Sequence, residues 1–120
     1  MNSKKVLVVE DEMIIALLIE RMVGNLGHEV VAKVASGEEA VSVAMDKEPD
    51  LILMDIRLKG EMDGIEAMLK IREKKNIPVI YISGNTDMVY QEKIKQTGYI
   101  DFLSKPITLS DLDRSFKLAS

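Results

Sequence analysis

The chain has no cysteine and no tryptophan among its 120 residues. Without thiols it forms no disulfide, no thiolate metal centre and no cysteine nucleophile, and its composition fits a reducing cytoplasm. Aromatic residues are only 4%, so the core must be built from Met, Leu, Ile and Val. The eight methionines, Met13, Met22, Met54 and Met68 among them, are expected to fill that core. No apolar run is long enough for a membrane span or a signal peptide: the one after Met1-Asn2-Ser3-Lys4-Lys5 breaks at Glu10. A net charge of −4 offers nucleic acid no broad attraction. The sole histidine, His28, lies in Leu26-Gly27-His28-Glu29 and is expected in an exposed turn.

What is present is the balance of an ordinary globule, 47% hydrophobic and 30% charged, at the length of one domain over residues 1–120. Val6-Leu7-Val8-Val9 reads as a strand covered on both faces, ending in Glu10-Asp11. From Glu12 to Leu26 the residues Ile14, Ile15, Leu17, Leu18, Met22 and Val23 recur at helical spacing as the expected inward face, and Gly27 follows as a stop. Glu29 to Ala35 reads as a second strand, and Ser36-Gly37-Glu38-Glu39 as a capping box opening a helix to about Lys47. The pattern repeats with strands at 51–54, 78–82 and 99–103 and helices at 64–75, 86–96 and from Thr108 to near the end. Five strands alternating with five helices predict an α/β fold, a parallel sheet with helices on both faces in a three-layer sandwich. There is no repeat or linker, and the last helix reaches almost to Ser120, which suits both a domain excised from a longer chain and a single-domain protein.

In a doubly wound sheet the site lies beyond the carboxyl ends of the strands. There the sequence places Glu10 and Asp11, Asp55, Ser83, and the run Ser104-Lys105-Pro106. Three carboxylates held together repel, at about 4 Å by roughly 4 kcal/mol per pair for an effective dielectric of 20. A hard divalent cation taking oxygen ligands would neutralise them; Mg²⁺ suits because it keeps water positions open for a phosphate. Lys105 adds a second positive charge. A carboxylate so placed can attack a phosphoryl group, with the cation, Lys105 and the Ser83 hydroxyl binding its oxygens. Asp55 is the candidate nucleophile.

At these residues the chain resembles the receiver domain of two-component response regulators over essentially its whole length. The resemblance rests on Val8-Val9-Glu10-Asp11-Glu12, Leu53-Met54-Asp55-Ile56-Arg57, Asp63-Gly64, Ile82-Ser83-Gly84 and Phe102-Leu103-Ser104-Lys105-Pro106. It implies a flavodoxin-like (βα)5 fold of strand order 2-1-3-4-5, an order the general rule for such folds already gives for a chemotaxis receiver. It implies that Asp55 accepts phosphate from a sensor histidine kinase or a histidine phosphotransfer protein. Asp11, Asp55 and the Arg57 backbone carbonyl would bind Mg²⁺ or Mn²⁺, with Glu10 acting through water. Ser83 and Lys105 would grip the phosphoryl oxygens, the Lys105-Pro106 bond would be cis, and Ser83 with Phe102 would switch the face of helix four, strand five and helix five. The family further implies an output partner or attached output domain, and admits dimerisation on phosphorylation. Such a domain is not an enzyme toward an outside substrate, although it assists its own phosphorylation and dephosphorylation.

Two features differ from the usual family form. Residues Arg57 to Gly64 run one residue longer and lack a proline near Lys59, and the first acid is Glu10 rather than aspartate. Arg57 and Asn85 match the positions that tune phosphate loss. Two other classes share part of the pattern. A small phosphatase with an aspartyl nucleophile would want a second acid two residues on, where Arg57 stands, and a phosphate-independent module of the same fold would not need the full set of acids, hydroxyl and lysine.

Overall fold

A computed structural model of the chain describes residues 3–84 and 91–120. Five strands and five helices alternate: β1 (Lys5–Val9), α1 (Met13–Asn25), β2 (Glu29–Val34), α2 (Gly37–Lys47), β3 (Leu51–Asp55), α3 (Gly64–Arg72), β4 (Val79–Ser83), α4 (Gln91–Gln96), β5 (Asp101–Ser104) and α5 (Leu109–Leu118). The strands form one sheet of order β2-β1-β3-β4-β5, and every neighbouring pair is parallel.

The period-2 alternation of the strands divides the interior in two. Leu7, Val9, Ile52, Met54, Val79 and Tyr81 face one side, where Ala40 and Ala44 of α2, Ile65, Met68 and Ile71 of α3 and Ile94 of α4 close over them. Val6, Val8, Leu51, Leu53, Ile80, Ile82 and Leu103 face the other, against Ile19 and Val23 of α1 and Leu112 and Phe116 of α5. Strands buried on both faces need apolar residues at every position, which is why β1 and β3 read as unbroken aliphatic runs.

Several local expectations shift. The inward stripe of α1 is Ala16, Ile19 and Val23, whereas Met13 and Ile14 are 78% and 75% exposed and Leu17 and Leu18 are about half exposed. The helix has more apolar residues than one seam can bury, so periodicity alone could not choose the face. Met54 and Met68 are fully buried, but Met13 is not core filler. The box at α2 is incomplete: Ser36 Oγ accepts from Glu39 N–H at 3.2 Å, but the Glu39 carboxylate takes the Ala35 N–H and the Ser36 hydroxyl. Complete capping boxes open α3 at Asp63 with Glu66 and α5 at Thr108 with Asp111. β5 begins at Asp101 rather than Tyr99, because Gly98 still turns the chain at φ +56° and the Ile100 N–H is the first to reach β4, at the Val79 carbonyl. The early part of the expected fourth helix, 86–90, and Asn85 lie outside the described residues.

Under α4 lies a polar tie. Tyr81, fully buried in β4, shares a 2.8 Å hydrogen bond with Thr97 Oγ1, and that hydroxyl also donates to the Ile94 carbonyl. Arg72 donates to the carbonyls of Thr97 and Ile77. Burial pushes the Tyr81 phenol up to about 12, so it remains a neutral hydrogen-bonding group.

His28 is half-buried, not exposed: its Nδ1 accepts the Lys4 N–H at 3.0 Å and its ring sits 4.6 Å from that of Phe116. Burial and then the Lys4 charge lower its pKa below the ordinary 6.5. A depressed base favours folding above its ordinary pKa and loses that contribution as pH falls through it. The advantage of the wild type over His28→Gln in urea midpoint is therefore expected to shrink as the pH is lowered from 8 through 6. Gly64 is the tightest backbone approach: a Cβ there would lie 2.2 Å from the Asp55 carbonyl oxygen. Gly64→Ala is expected to cost about 3 kcal/mol in chemical denaturation, the upper end for overpacking.

Candidate phosphoacceptor and cation site

The carboxyl ends of β1, β3, β4 and β5 deliver the site. Glu10 follows β1, Asp55 ends β3, Ser83 ends β4 and Lys105 follows β5. The ladders pair Asp55 with Ile82 and Ser83 with Ser104, and the Glu10 N–H is held by the Val34 carbonyl of β2. Glu10, Asp55 and Ser83 thus hang from interior strands of the sheet, whereas Lys105 follows the edge strand β5 and is tied to β4 alone.

Glu10 and Asp55 are both only 3% exposed. Lys105 Nζ lies 2.9 Å from Glu10 Oε1 and 2.9 Å from Asp55 Oδ2. Asp55 Oδ1 accepts the Arg57 N–H at 3.2 Å, and Glu10 Oε2 accepts the Glu12 N–H at 3.0 Å. Asp11 stands at the rim, its Oδ2 accepting the Lys59 N–H at 3.1 Å. Ser83 is buried beside this group, and the Lys105 N–H donates to its carbonyl at 2.8 Å. The Lys105-Pro106 peptide is cis. Phe102 pairs with Tyr81 across the β4–β5 ladder and packs, partly buried, on the core cluster of that face.

Burial raises Glu10 from its ordinary 4.5 to about 7, against the pull of Lys105 and the Glu12 N–H. Burial likewise raises Asp55, again opposed by Lys105. Burial would lower Lys105, but its hydrogen bond to Asp55 and its ion pair with Glu10 outweigh that and hold it raised and charged. One ammonium therefore does not satisfy the pair. Carboxylate oxygens of Glu10, Asp11 and Asp55 come within 4.8 Å of one another. Among the described residues Glu10 Oε1 is the one buried side-chain oxygen with no aligned hydrogen bond, the Lys105 contact being a charge pair only. Three hard oxygen donors, surplus negative charge and an unsatisfied oxygen fit a divalent cation of the Mg²⁺ type.

The chain matches the response regulator receiver domain family over residues 6–117. It belongs to that family. A transcriptional regulatory protein of Mycobacterium tuberculosis, PdtaR, is 32% identical over 116 residues, which are 97% of this chain and 56% of that protein. This receiver domain thus spans about half the length of that curated relative. The solved signal receiver domain of a modulated diguanylate cyclase from Desulfovibrio desulfuricans superposes with a TM-score of 0.91 at 33% identity, covering 98% of this chain and 94% of that one. The receiver domain of a sensor histidine kinase from Pseudomonas aeruginosa superposes at 0.85 with 33% identity over 98% of each chain, and that structure has a magnesium ion coordinated in its active-site cleft. Among the described residues of this receiver no helix is long and apolar enough to cross a membrane.

Two features of the site carried no side-chain signal. The Lys59 and Arg57 contributions seen here are backbone N–H groups, which any non-proline residue offers. Gly64 was visible as part of Asp63-Gly64, but its reason, direct contact with the Asp55 backbone, appears only in three dimensions.

Burial raises both Glu10 and Asp55, so their uncharged forms favour folding below the ordinary carboxylate range and that contribution is lost as pH rises, for Glu10 through about 7. In EDTA the thermal midpoint is expected to fall between pH 5 and 8, less steeply for Glu10→Gln. Mg²⁺ at ten times its Kd should restore about 1.4 kcal/mol at pH 8, measured by denaturation with and without the ion.

Proposed function

We propose that this chain is a phosphorylation-controlled receiver of two-component signalling, with Asp55 as its phosphoacceptor. The observation that carries the reading is Lys105 Nζ set 2.9 Å from both Glu10 and Asp55 in a cluster of buried acids. Asp55 Oδ attacks the phosphorus of a phosphohistidine on a sensor histidine kinase or phosphotransfer protein, the P–N bond breaks, and the histidine nitrogen keeps the bonding pair and takes a proton from solvent. Lys105 and the Ser83 hydroxyl hold the phosphoryl oxygens, and the Arg57 N–H orients the attacking carboxylate. Asp11, Asp55, the Arg57 carbonyl and, through water, Glu10 would hold Mg²⁺ or Mn²⁺, which when bound would supply charge neutralisation for the transferring group. These groups make the domain assist its own phosphorylation and its loss, with no outside substrate.

The signal leaves through Ser83 and Phe102. Ser83 moving toward the phosphate vacates space on the face where Phe102 packs, and the inward swing of that ring alters the surface of α4, β5 and α5. An output partner or attached output domain reads that surface, and a phosphorylation-dependent dimer is one form it takes. A coupling of about 1–3 kcal/mol is typical of such devices, enough for a partial population shift. The reading places the domain in the cytoplasm as a unit over residues 1–120, with no contact to nucleic acid of its own.

Incubation with acetyl phosphate, read by intact mass, tests this reading. The wild type is expected to gain one phosphoryl group only with Mg²⁺, and Asp55→Asn to gain none. A gain that survives in Asp55→Asn would refute the acceptor assignment.

A further inference from the structure

The loop over the acids carries a contact that the proposed function does not use. Residues 57–63 are closed at their base by the Gly64 N–H on the Ile56 carbonyl, 2.8 Å. Leu58 and Met62 are both partly buried against the core cluster. Met62 lies so close over Gly37 that a Cβ there would be 2.9 Å from its Cγ. Between these anchors Gly60 reverses the chain at φ +102°, a conformation cheap only for glycine. The Lys59 side chain is exposed, but its N–H points inward and donates to Asp11 Oδ2 at 3.1 Å, across 48 positions of sequence.

We propose that Lys59 is a positioning residue for the divalent cation, acting through its backbone N–H. The inference rests on the reading of Asp11 as a cation ligand. Asp11 is at the rim, less enclosed than Glu10 or Asp55, so its carboxylate would otherwise sample several rotamers and pay their entropy on binding. A carboxylate offers about four lone-pair sites; one N–H orients it and leaves the remaining capacity for the ion. Such outer contacts typically change metal affinity by about 10–100-fold when removed. The device is written into the loop rather than into the Lys59 side chain. Leu58 and Met62 fix its two arms, Gly60 makes the reversal, and a proline at position 59 would abolish the donor.

The test is calorimetric titration of Mg²⁺ into the full chain at pH 8, comparing wild type, Lys59→Ala and Lys59→Pro, with urea midpoints in EDTA alongside. Lys59→Ala keeps the N–H and should bind within about twofold of wild type, whereas Lys59→Pro should bind about tenfold more weakly. In acetyl phosphate labelling the half-saturating Mg²⁺ should rise by the same factor while the rate at saturating Mg²⁺ is retained, a split that general destabilisation does not produce. Gly60→Val strains the reversal without removing the donor and should weaken Mg²⁺ in the same direction, which keeps the test decisive if Lys59→Pro does not fold. A wild type that binds Mg²⁺ and labels on Asp55, with Lys59→Pro or Gly60→Val binding as tightly as wild type or more tightly, overturns this inference alone. A wild type that binds no Mg²⁺ overturns the cation reading beneath it, and this inference with it.

Discussion

One ammonium between two buried carboxylates is the constraint on which the rest of the molecule turns. Lys105 meets Glu10 and Asp55 at 2.9 Å each, in a place where an unpaired charge would cost several kcal/mol. Burial nevertheless leaves both acids raised, so the pairing is partial by construction. A structure optimised for stability alone would replace this group with apolar side chains of like volume. Its place at the ends of parallel strands of one sheet makes sense as stored electrostatic imbalance, available to whatever brings positive charge or takes up the carboxylate.

The sheet makes such a cluster possible. Glu10 and Asp55 are 45 positions apart in sequence and Lys105 another 50 beyond, yet each is the residue at or just past the end of its strand. Parallel order brings these ends to one edge, and the two apolar layers fill the space on either side. The close contact of Gly64 with the Asp55 backbone then lets α3 start directly against the acid's own peptide. A side chain at that position would force the Asp55 backbone or the start of α3 to shift.

The fold was legible because the buried strands are nearly uninterrupted in Val, Leu and Ile and because acids mark their ends. The constellation Glu10, Asp11, Asp55, Ser83 and Lys105 was legible for the same reason: strand ends in this topology converge. What was not legible depended on choices between equivalent residues or on backbone groups. On α1, Ile14, Leu17 and Leu18 satisfy a helical period as well as Ala16, Ile19 and Val23 do, and only the shape of the sheet decides which stripe goes in. His28 looked like a turn residue, and its burial comes from Phe116, 88 positions later. The start of β5 moved because Gly98 continues a turn that composition alone reads as the start of a strand.

The tie under α4 has a geometric consequence. Thr97, at the end of that helix, is bound on three sides, by the Tyr81 hydroxyl, by its own bond to Ile94 and by the Arg72 guanidinium on its carbonyl. A helix held at one end by several bonds and packed into the core through Ile94 has a fulcrum. The C-terminal end of α4 is thus pinned through one buried threonine to both β4 and α3.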